Sequence, residues 1–281
     1  ILSGISLDGE KYFYTNPLRI SKKFPYTLRW SKTREKYISC FCCPPNTLRT
    51  LCEAQDYAYT TSKGTLWCNI YGSSVLKTKI GNGELKVTQT TEYPYNGKIV
   101  IVLDKVPSYR DFSTIRLRIP EWCDSATVSV NGLRQNVKIY TGKYLSISRK
   151  WNNRDKIQLV LEMRPQLIEA NPLVEEDKNQ VAVKRGPIVY CLESMDIDNG
   201  NSIDDVVIPD DIKLNEKKIS IDNHYITALE GDAILRSEHS WDNKLYQKIE
   251  SDQKKVRIRL IPYFAWGNRG KAEMTVWMNR K

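Results

Sequence analysis

The sequence predicts a mainly β protein with two domains of the β-sandwich or jelly-roll type, preceded by a short helical segment. Three observations predict this fold class. Beyond residue 64, short runs in which apolar and polar residues alternate follow one another closely. Asn-Gly dipeptides, which supply the positive φ angles of tight hairpin turns, separate several of these runs. Before residue 64, a single segment has the three- and four-residue apolar spacing of a helix.

Length and composition agree with a globular fold. At roughly 150 residues per domain, the length predicts about two domains. Hydrophobic residues make up 41% of the 281 residues and charged residues 27%. No apolar run approaches the ~20 residues of a bilayer span, and no basic region followed by an apolar stretch opens the chain. Neither a membrane segment nor a signal peptide is therefore predicted.

The net charge of +10 is unevenly distributed. Residues 1–50 hold nine basic and three acidic residues, and therefore carry more than half of the excess. No nucleic-acid-binding motif accompanies this segment, and the region predicted as strands carries little of the charge. The segment is therefore interpreted as solvated or covered by a partner, and nucleic acid is not predicted as a ligand.

The first elements are a strand and a helix. Lys11–Leu18 is typical of a strand that ends in a turn, and a turn signal precedes it. The helix is predicted from Pro44 to Tyr59, since proline is tolerated in a first helical turn, and Gly64 is the stop signal. One helix cannot bury its apolar stripe alone, so it must pack on the β domains or on something outside the chain. Its stripe consists of Leu48, Leu51, Cys52, Gln55, Ala58 and Tyr59.

The predicted strands fall into two series. The acidic stretch from Asp196 to Asn215 lacks periodicity and is expected to be a long surface loop. The turn dipeptides are Asn82–Gly83, Asn96–Gly97 and Asn131–Gly132. The strands of the two series are Leu66–Tyr71, Leu85–Thr88, Ile115–Ile119 and Ile157–Leu161, then Val181–Val183, Ile188–Cys191, Val256–Leu260 and Met274–Met278.

The strongest chemical feature is the run Cys40-Phe41-Cys42-Cys43-Pro44-Pro45-Asn46. Only a thiolate is a good nucleophile or metal ligand, and the partial positive charge of a helix N-terminus stabilises one. Cys42 and Cys43 are predicted to lie at such a position. Zinc binds thiolates readily but usually has four ligands, so a zinc site here would need ligands from elsewhere. The alternative interpretation is that these cysteines are unreactive core residues.

The remaining candidates carry weaker signals. The two histidines, His224 and His239, lie in polar surroundings without ligand spacing, so incidental roles are favoured. Tryptophans such as Trp67 could stack on sugar rings, although core or edge packing is favoured for most of them. The other four cysteines lie in apolar patterns and are interpreted as core residues: Cys52, Cys68, Cys123 and Cys191.

At the cysteine run the sequence resembles a known family. The residues Cys42-Cys43-Pro44-Pro45-Asn46, together with Arg49, are similar to the signature of glycoside hydrolase family 127, the β-L-arabinofuranosidases and their relatives. The similarity extends over most of the chain in the same order. The other matching segments are Leu7–Gly9, Tyr12–Leu18, Gly64–Tyr71, Thr91–Tyr95, Leu117–Trp122, Val181–Tyr190 and Ile261–Gly270.

The resemblance implies an (α/α)6 barrel followed by β-sandwich domains, and a retaining mechanism whose nucleophile is a cysteine thiolate held by zinc. Cys42 corresponds to the nucleophile and a zinc ligand, and Cys43 to a second zinc ligand. Cys40 matches a position that is not a ligand in the family. The acid/base glutamate and the other two ligands, a glutamate and a cysteine, lie well upstream in the family, and neither Glu10 nor Glu35 matches their contexts.

Residues 1–64 are therefore interpreted as the C-terminal remnant of the helical barrel, 65–172 as one β-sandwich and 173–281 as a second. The predicted protein is the C-terminal part of a zinc-dependent glycoside hydrolase that acts on arabinofuranosides or related plant-type glycans. The isolated chain is expected to be inactive, because the acid/base and two ligands would belong to a missing N-terminal barrel segment. The alternative is a non-catalytic carbohydrate-binding or structural β-sandwich module.

Overall fold

The structure, a computed structural model, describes residues 2–21, 29–198, 202–236, 245–246, 248 and 254–281. The chain is mainly β, as predicted. It divides into two compact units, which we call the middle unit (Cys40–Arg164) and the N/C unit (Ile1–Ser39 with Pro165–Lys281). The predicted boundaries of three domains stay a prediction. Among the described residues, no helix has the length and apolar character needed to cross a membrane.

The first strand, β1 (Arg19–Ile20), belongs to the N/C unit, and the middle unit follows it along the chain. The middle unit opens with the helix α1 (Cys43–Glu53) and a 3-10 turn (Ala54–Tyr57). Its strands are β2 (Tyr59–Ser62), β3 (Thr65–Cys68), β4 (Ser74–Ile80), β5 (Gly83–Thr91), β6 (Lys98–Lys105), β7 (Thr114–Arg118), β8 (Ala126–Val130), β9 (Leu133–Arg134), β10 (Tyr144–Ser148) and β11 (Lys156–Leu161).

Two sheets form the middle unit. The four-stranded sheet has the order β10-β7-β3-β2, in which β3 and β7 are parallel, and the six-stranded sheet has the antiparallel order β4-β5-β6-β11-β8-β9. Along β7, Ile115 and Leu117 are buried while the residues between them are not, which is the predicted period of two. Buried residues of both sheets belong to one hydrophobic cluster. The more specific assignment as a sandwich or jelly roll stays a prediction.

The turn dipeptides behave differently from one another. Asn131 and Gly132 have φ angles of 51° and 82° and connect β8 to β9, as predicted. At the β4–β5 hairpin, the positive φ of 58° belongs to Gly81, so the turn lies one residue before the predicted Asn82–Gly83 pair. Gly97 has no positive φ. A Cβ atom there would lie 1.9 Å from the carbonyl oxygen of Leu161, so close backbone approach explains this glycine.

The predicted helix is shorter than expected. It ends at Glu53, and Tyr59 belongs to β2 instead. None of the residues of α1 is buried, and Leu48 and Leu51 are 63% and 49% exposed. The part of the apolar stripe that lies on α1 is therefore not covered by the described residues.

In the described part of the N/C unit, nine further strands join β1 in one sheet. The order is β1-β19-β14-β18-β17-β15-β20-β13-β12, with β16 paired to β17 and a further pairing between β13 and β14. The bounds of these strands are β12 (Pro165–Ile168), β13 (Gln180–Arg185), β14 (Ile188–Ile197), β15 (Val206–Ile208), β16 (Asn215–Ile221), β17 (His224–Leu235), β18 (Lys254–Pro262), β19 (Met274–Thr275) and β20 (Met278–Arg280).

Two predictions for this unit are wrong. Where a surface loop was expected from Asp196, β14 continues to Ile197, and the fully apolar strand β15 is buried. A short strand buried on both faces shows no alternation, so periodicity misses it; residues 199–201 lie outside the described part. The segment Lys11–Leu18 forms no strand: only Tyr12 makes isolated bridges, to Ile5 and Glu35.

Candidate active site

Three thiols meet at the start of α1. The Sγ of Cys42 lies 3.6 Å from that of Cys40 and 3.5 Å from that of Cys43. All three sulfurs lie within 4.8 Å of one another. Cys42 and Cys43 are exposed and Cys40 is half-buried, so the cluster is open to a ligand. Among the described residues, no other group of three cysteine, histidine or carboxylate side chains comes together in this way.

Local sequence explains where this cluster lies. Cys42 is the N-cap of α1, and its carbonyl oxygen accepts a 3.2 Å hydrogen bond from the backbone N–H of Asn46. The two prolines occupy the first turn, where a missing N–H removes no helical hydrogen bond. Arg49 donates a 2.7 Å hydrogen bond to the Asn46 side chain one turn further on. The thiols are therefore held at the positive end of the helix dipole, which favours thiolates.

Neighbouring sulfurs oppose this effect at Cys42. The hydrogen bond with Cys43 is the largest influence, followed by that with Cys40, and together they raise the pKa of the Cys42 thiol above its ordinary value. Two sulfurs that crowd a third disfavour a second negative charge beside it. A cation bound between the sulfurs would reverse this balance, because coordination deprotonates a thiol outright.

The sulfur positions fit one thiophilic metal ion. Two sulfurs bound to zinc at ~2.3 Å with tetrahedral angles lie about 3.8 Å apart. The observed separations of 3.5 and 3.6 Å are close to that spacing. The adjacent residues Cys42 and Cys43 reach one point because the helix begins between them. The structure also brings Cys40 into the group, although the family resemblance matches it to a position that is not a ligand. The close spacing of the three cysteines along the sequence was the signal that could have predicted this.

The remaining cysteines have other surroundings. Cys68, Cys123 and Cys191 are buried, as the apolar patterns predicted, and burial raises the pKa of Cys68 to about 12. Cys52 was expected in the core, but it is exposed because α1 has no described neighbour over that side.

The other candidate residues are not members of the thiol cluster. Glu35 belongs to the N/C unit, where hydrogen bonds from Ser31 and Thr33 lower the pKa of its carboxyl group. Glu10 is an exposed residue of the same unit. His224 is exposed at the start of β17, while His239 lies outside the described residues. The described residues thus place thiols alone in the candidate site.

Comparison with known proteins identifies the family of this chain. Three models of one family match successive parts of the chain: the β-L-arabinofuranosidase GH127 catalytic domain matches residues 1–56, the GH127 middle domain matches 65–163, and the glycoside hydrolase family 127 C-terminal domain matches 165–279. The chain belongs to glycoside hydrolase family 127, which the cysteine signature indicated.

Individual relatives agree with the family models. A curated protein of Bifidobacterium longum, a non-reducing end β-L-arabinofuranosidase, is 28% identical over 99% of this chain. A solved structure described as a glycoside hydrolase is 55% identical with a TM-score of 0.92 over 99% of the chain. A family 127 β-L-arabinofuranosidase from Geobacillus stearothermophilus T6 is 35% identical with a TM-score of 0.89 over the whole chain. The chain spans less than half the length of these relatives: 43%, 46% and 44% respectively.

Proposed function

We propose that this chain is the part of a retaining, β-L-arabinofuranosidase-like glycoside hydrolase that supplies the cysteine nucleophile and two zinc ligands. The observation that carries the proposal is the contact of three sulfurs at the N-terminus of α1 in a family 127 chain. In the proposal, Cys42 is the nucleophile and a zinc ligand, and Cys43 is a zinc ligand. The substrate class is an arabinofuranoside or a related plant-type glycan.

The chemistry proposed for Cys42 is nucleophilic substitution at an anomeric carbon. Its sulfur forms a bond to that carbon while the bond from carbon to the leaving oxygen breaks, and a proton donor protonates that oxygen. Water then displaces the sulfur from the same carbon while the proton donor, now deprotonated, takes a proton from that water; the thiolate is restored, and two successive inversions retain the configuration. Zinc, when bound, would supply a positive charge that keeps the coordinating sulfurs deprotonated at neutral pH.

The proposal assigns no residue of this chain to the acid/base role. The family resemblance implies a glutamate for that role, and a glutamate and a cysteine as further ligands, at positions that Glu10 and Glu35 do not match. A thiolate without a proton donor beside the leaving oxygen does not complete the reaction. We therefore expect no turnover of an aryl β-L-arabinofuranoside by the 281-residue chain, and measurable turnover would contradict this part of the proposal.

Activity of the longest natural form of the protein that contains this chain tests the role of Cys42. Cys42→Ala should abolish turnover of the aryl arabinofuranoside, whereas Cys52→Ala should retain it. Cys52 is the matched control, since it is an exposed thiol of the same helix outside the cluster. Near-normal turnover by Cys42→Ala would show that another group is the nucleophile.

A further inference from the structure

The four-stranded sheet of the middle unit has one face that does not contribute to the core. On β3, β7 and β10, every second residue belongs to the core face and is almost completely buried, among them Leu66, Ile115 and Leu145. We call the other face, which does not contribute to the core, the arginine–tryptophan face. Its residues are half-buried or exposed: Thr65, Trp67, Thr114, Arg116, Arg118, Tyr144, Ser146 and Ser148.

Its two aromatic rings are held in place. Trp67 and Tyr144 meet edge to face with 4.9 Å between ring centroids, and Tyr144 is 38% exposed. The Tyr144 hydroxyl donates a 2.8 Å hydrogen bond to the side chain of Asn69, which in turn donates a 3.0 Å hydrogen bond to the Thr60 hydroxyl. A ring fixed before binding loses little conformational entropy when a ligand packs against it. The aromatic pair is therefore a rigid platform.

The charges of this face are all positive. The guanidinium of Arg116 lies 4.1 Å from the centre of the Trp67 ring, and its buried Nε has no hydrogen-bond partner in the described part of the chain. Arg118 donates a 2.6 Å hydrogen bond from its Nε to the backbone oxygen of Asn69. None of the strands β2, β3, β7 and β10 contains an acidic residue. An anion approaching the sheet here meets no carboxylate on the strands themselves.

We propose that the arginine–tryptophan face binds an anionic polysaccharide whose sugar units carry carboxylates. Arginine presents a planar fork of donors that matches a carboxylate, and stacking on Trp67 orients that fork. Rows of serine and threonine hydroxyls beside the rings offer hydrogen bonds to sugar hydroxyls. The choice of a polysaccharide rests on the proposed function, whose substrate class is an arabinofuranoside or a related plant-type glycan. The positive charge and the geometry of the arginine–tryptophan face favour an acidic polysaccharide over a neutral one.

Binding of de-esterified polygalacturonate to the 281-residue chain tests the proposal, measured by calorimetry at low and at physiological salt. Arg116→Ala should weaken binding ~10-fold or more, because a charge-assisted bidentate contact is lost. Arg116→Lys keeps the charge without the fork and should weaken it less. Arg134→Ala is the matched control, since it removes an exposed arginine from β9 of the other sheet and should leave binding unchanged. Circular dichroism checks that each variant is folded.

Four outcomes would overturn the proposal. These are no binding of polygalacturonate, an equal loss in Arg116→Ala and Arg134→Ala, equal affinity for fully methyl-esterified polygalacturonate or neutral arabinan, and equal or tighter binding of single-stranded DNA. Cys42→Ala should bind polygalacturonate as the unaltered chain does. Because polymer binding is measured without turnover, failure here leaves the nucleophile assignment standing, and failure of that assignment leaves this measurement interpretable.

Discussion

At Cys42, the surrounding residues decide whether the sulfur exists as thiol or thiolate. The sulfurs of Cys43 and Cys40 raise the pKa of its thiol, while the N-terminus of α1 favours negative charge. A metal ion must displace protons from these sulfurs, so its affinity rises as the pH rises. The proposed nucleophile and the proposed metal site are thus coupled through one proton equilibrium.

Metal titration of the isolated chain tests that coupling. We expect Cys43→Ser to lower the affinity for zinc on the order of 100-fold, because it removes one of the few thiolate ligands. Cys52→Ser should leave the affinity unchanged. Competition with a chromogenic chelator measures both, and cadmium–thiolate absorbance reports on the sulfurs directly. Equal affinities in the two variants would place the metal elsewhere, and affinity that falls between pH 6 and pH 8 would contradict the proton competition.

Functional residues were predictable from the sequence where their neighbours are close along the chain. The Cys42–Cys43 pair before two prolines was recognisable because capping and proline placement are local. The stacking of Arg116 on Trp67 was not, since it depends on the parallel pairing of β3 with β7. Cys52 was misplaced for a related reason: its position in an apolar stripe says nothing of what covers that stripe.

Among the elements, strands with one buried face were the most predictable. The strand β7 alternates in burial as its sequence alternates in polarity. The strand β15 was not predicted, because all three of its residues are apolar and buried and therefore show no alternation. The segment Lys11–Leu18 has strand-forming residues, yet its Phe13 packs flat on Trp266 with 4.4 Å between ring centroids. A tertiary contact there outweighs local propensity.

An ion cluster joins β14 to the loop before β19. The side chains of Glu193 and Asp196 are 0% and 2% exposed, and both accept hydrogen bonds from Arg269. Glu193 also accepts a 2.8 Å hydrogen bond from the backbone N–H of Gly267. Arg269 is therefore the hydrogen-bonded cation that the two buried carboxylates share, while Arg259 adds a longer ion pair of 3.7 Å to Asp196.

Substitution of that arginine should be costly. Arg269→Met removes the cation that is hydrogen-bonded to the buried Glu193 and Asp196, and should lower the free energy of unfolding of the N/C unit by about 3–5 kcal/mol. Arg280→Met is the control, since Arg280 pairs with Asp210 and Glu169 at the surface, and the expected loss is about 0–1 kcal/mol. Urea denaturation followed by circular dichroism measures both values. Similar losses in the two variants would mean that the buried cluster adds no more stability than a surface pair.

For the whole molecule, the two compact units do not follow one another along the sequence, because the N/C unit is made of two separate segments. Residues 1–39 form one unit with residues 165–281, although the middle unit separates them in sequence. Arg34 shows the physical reason. Its guanidinium lies 4.5 Å from the centre of the Phe13 ring and donates hydrogen bonds of 2.9 and 3.3 Å to the backbone oxygens of Trp266 and Phe264. Local sequence patterns do not predict such long-range contacts.

This grouping predicts that the two units respond separately to substitutions in their interiors. Arg34 is 7% exposed. Arg34→Ala removes its hydrogen bonds and its stacking on Phe13, and should lower the free energy of unfolding of the N/C unit by about 2–4 kcal/mol. Leu117→Ala creates a cavity in the core of the middle unit and should lower its stability by about 2–5 kcal/mol.

Amide hydrogen exchange, read peptide by peptide, distinguishes the units in one experiment. Arg34→Ala should speed exchange in β14 and β18 and leave β7 and β11 protected, while Leu117→Ala should do the opposite. The cause in each case is that a lost interior contact raises the open population only of the cooperative unit that contained it. If either variant accelerates exchange equally in both sets of strands, the units unfold together, and the stability of residues 1–39 is then set by the entire chain.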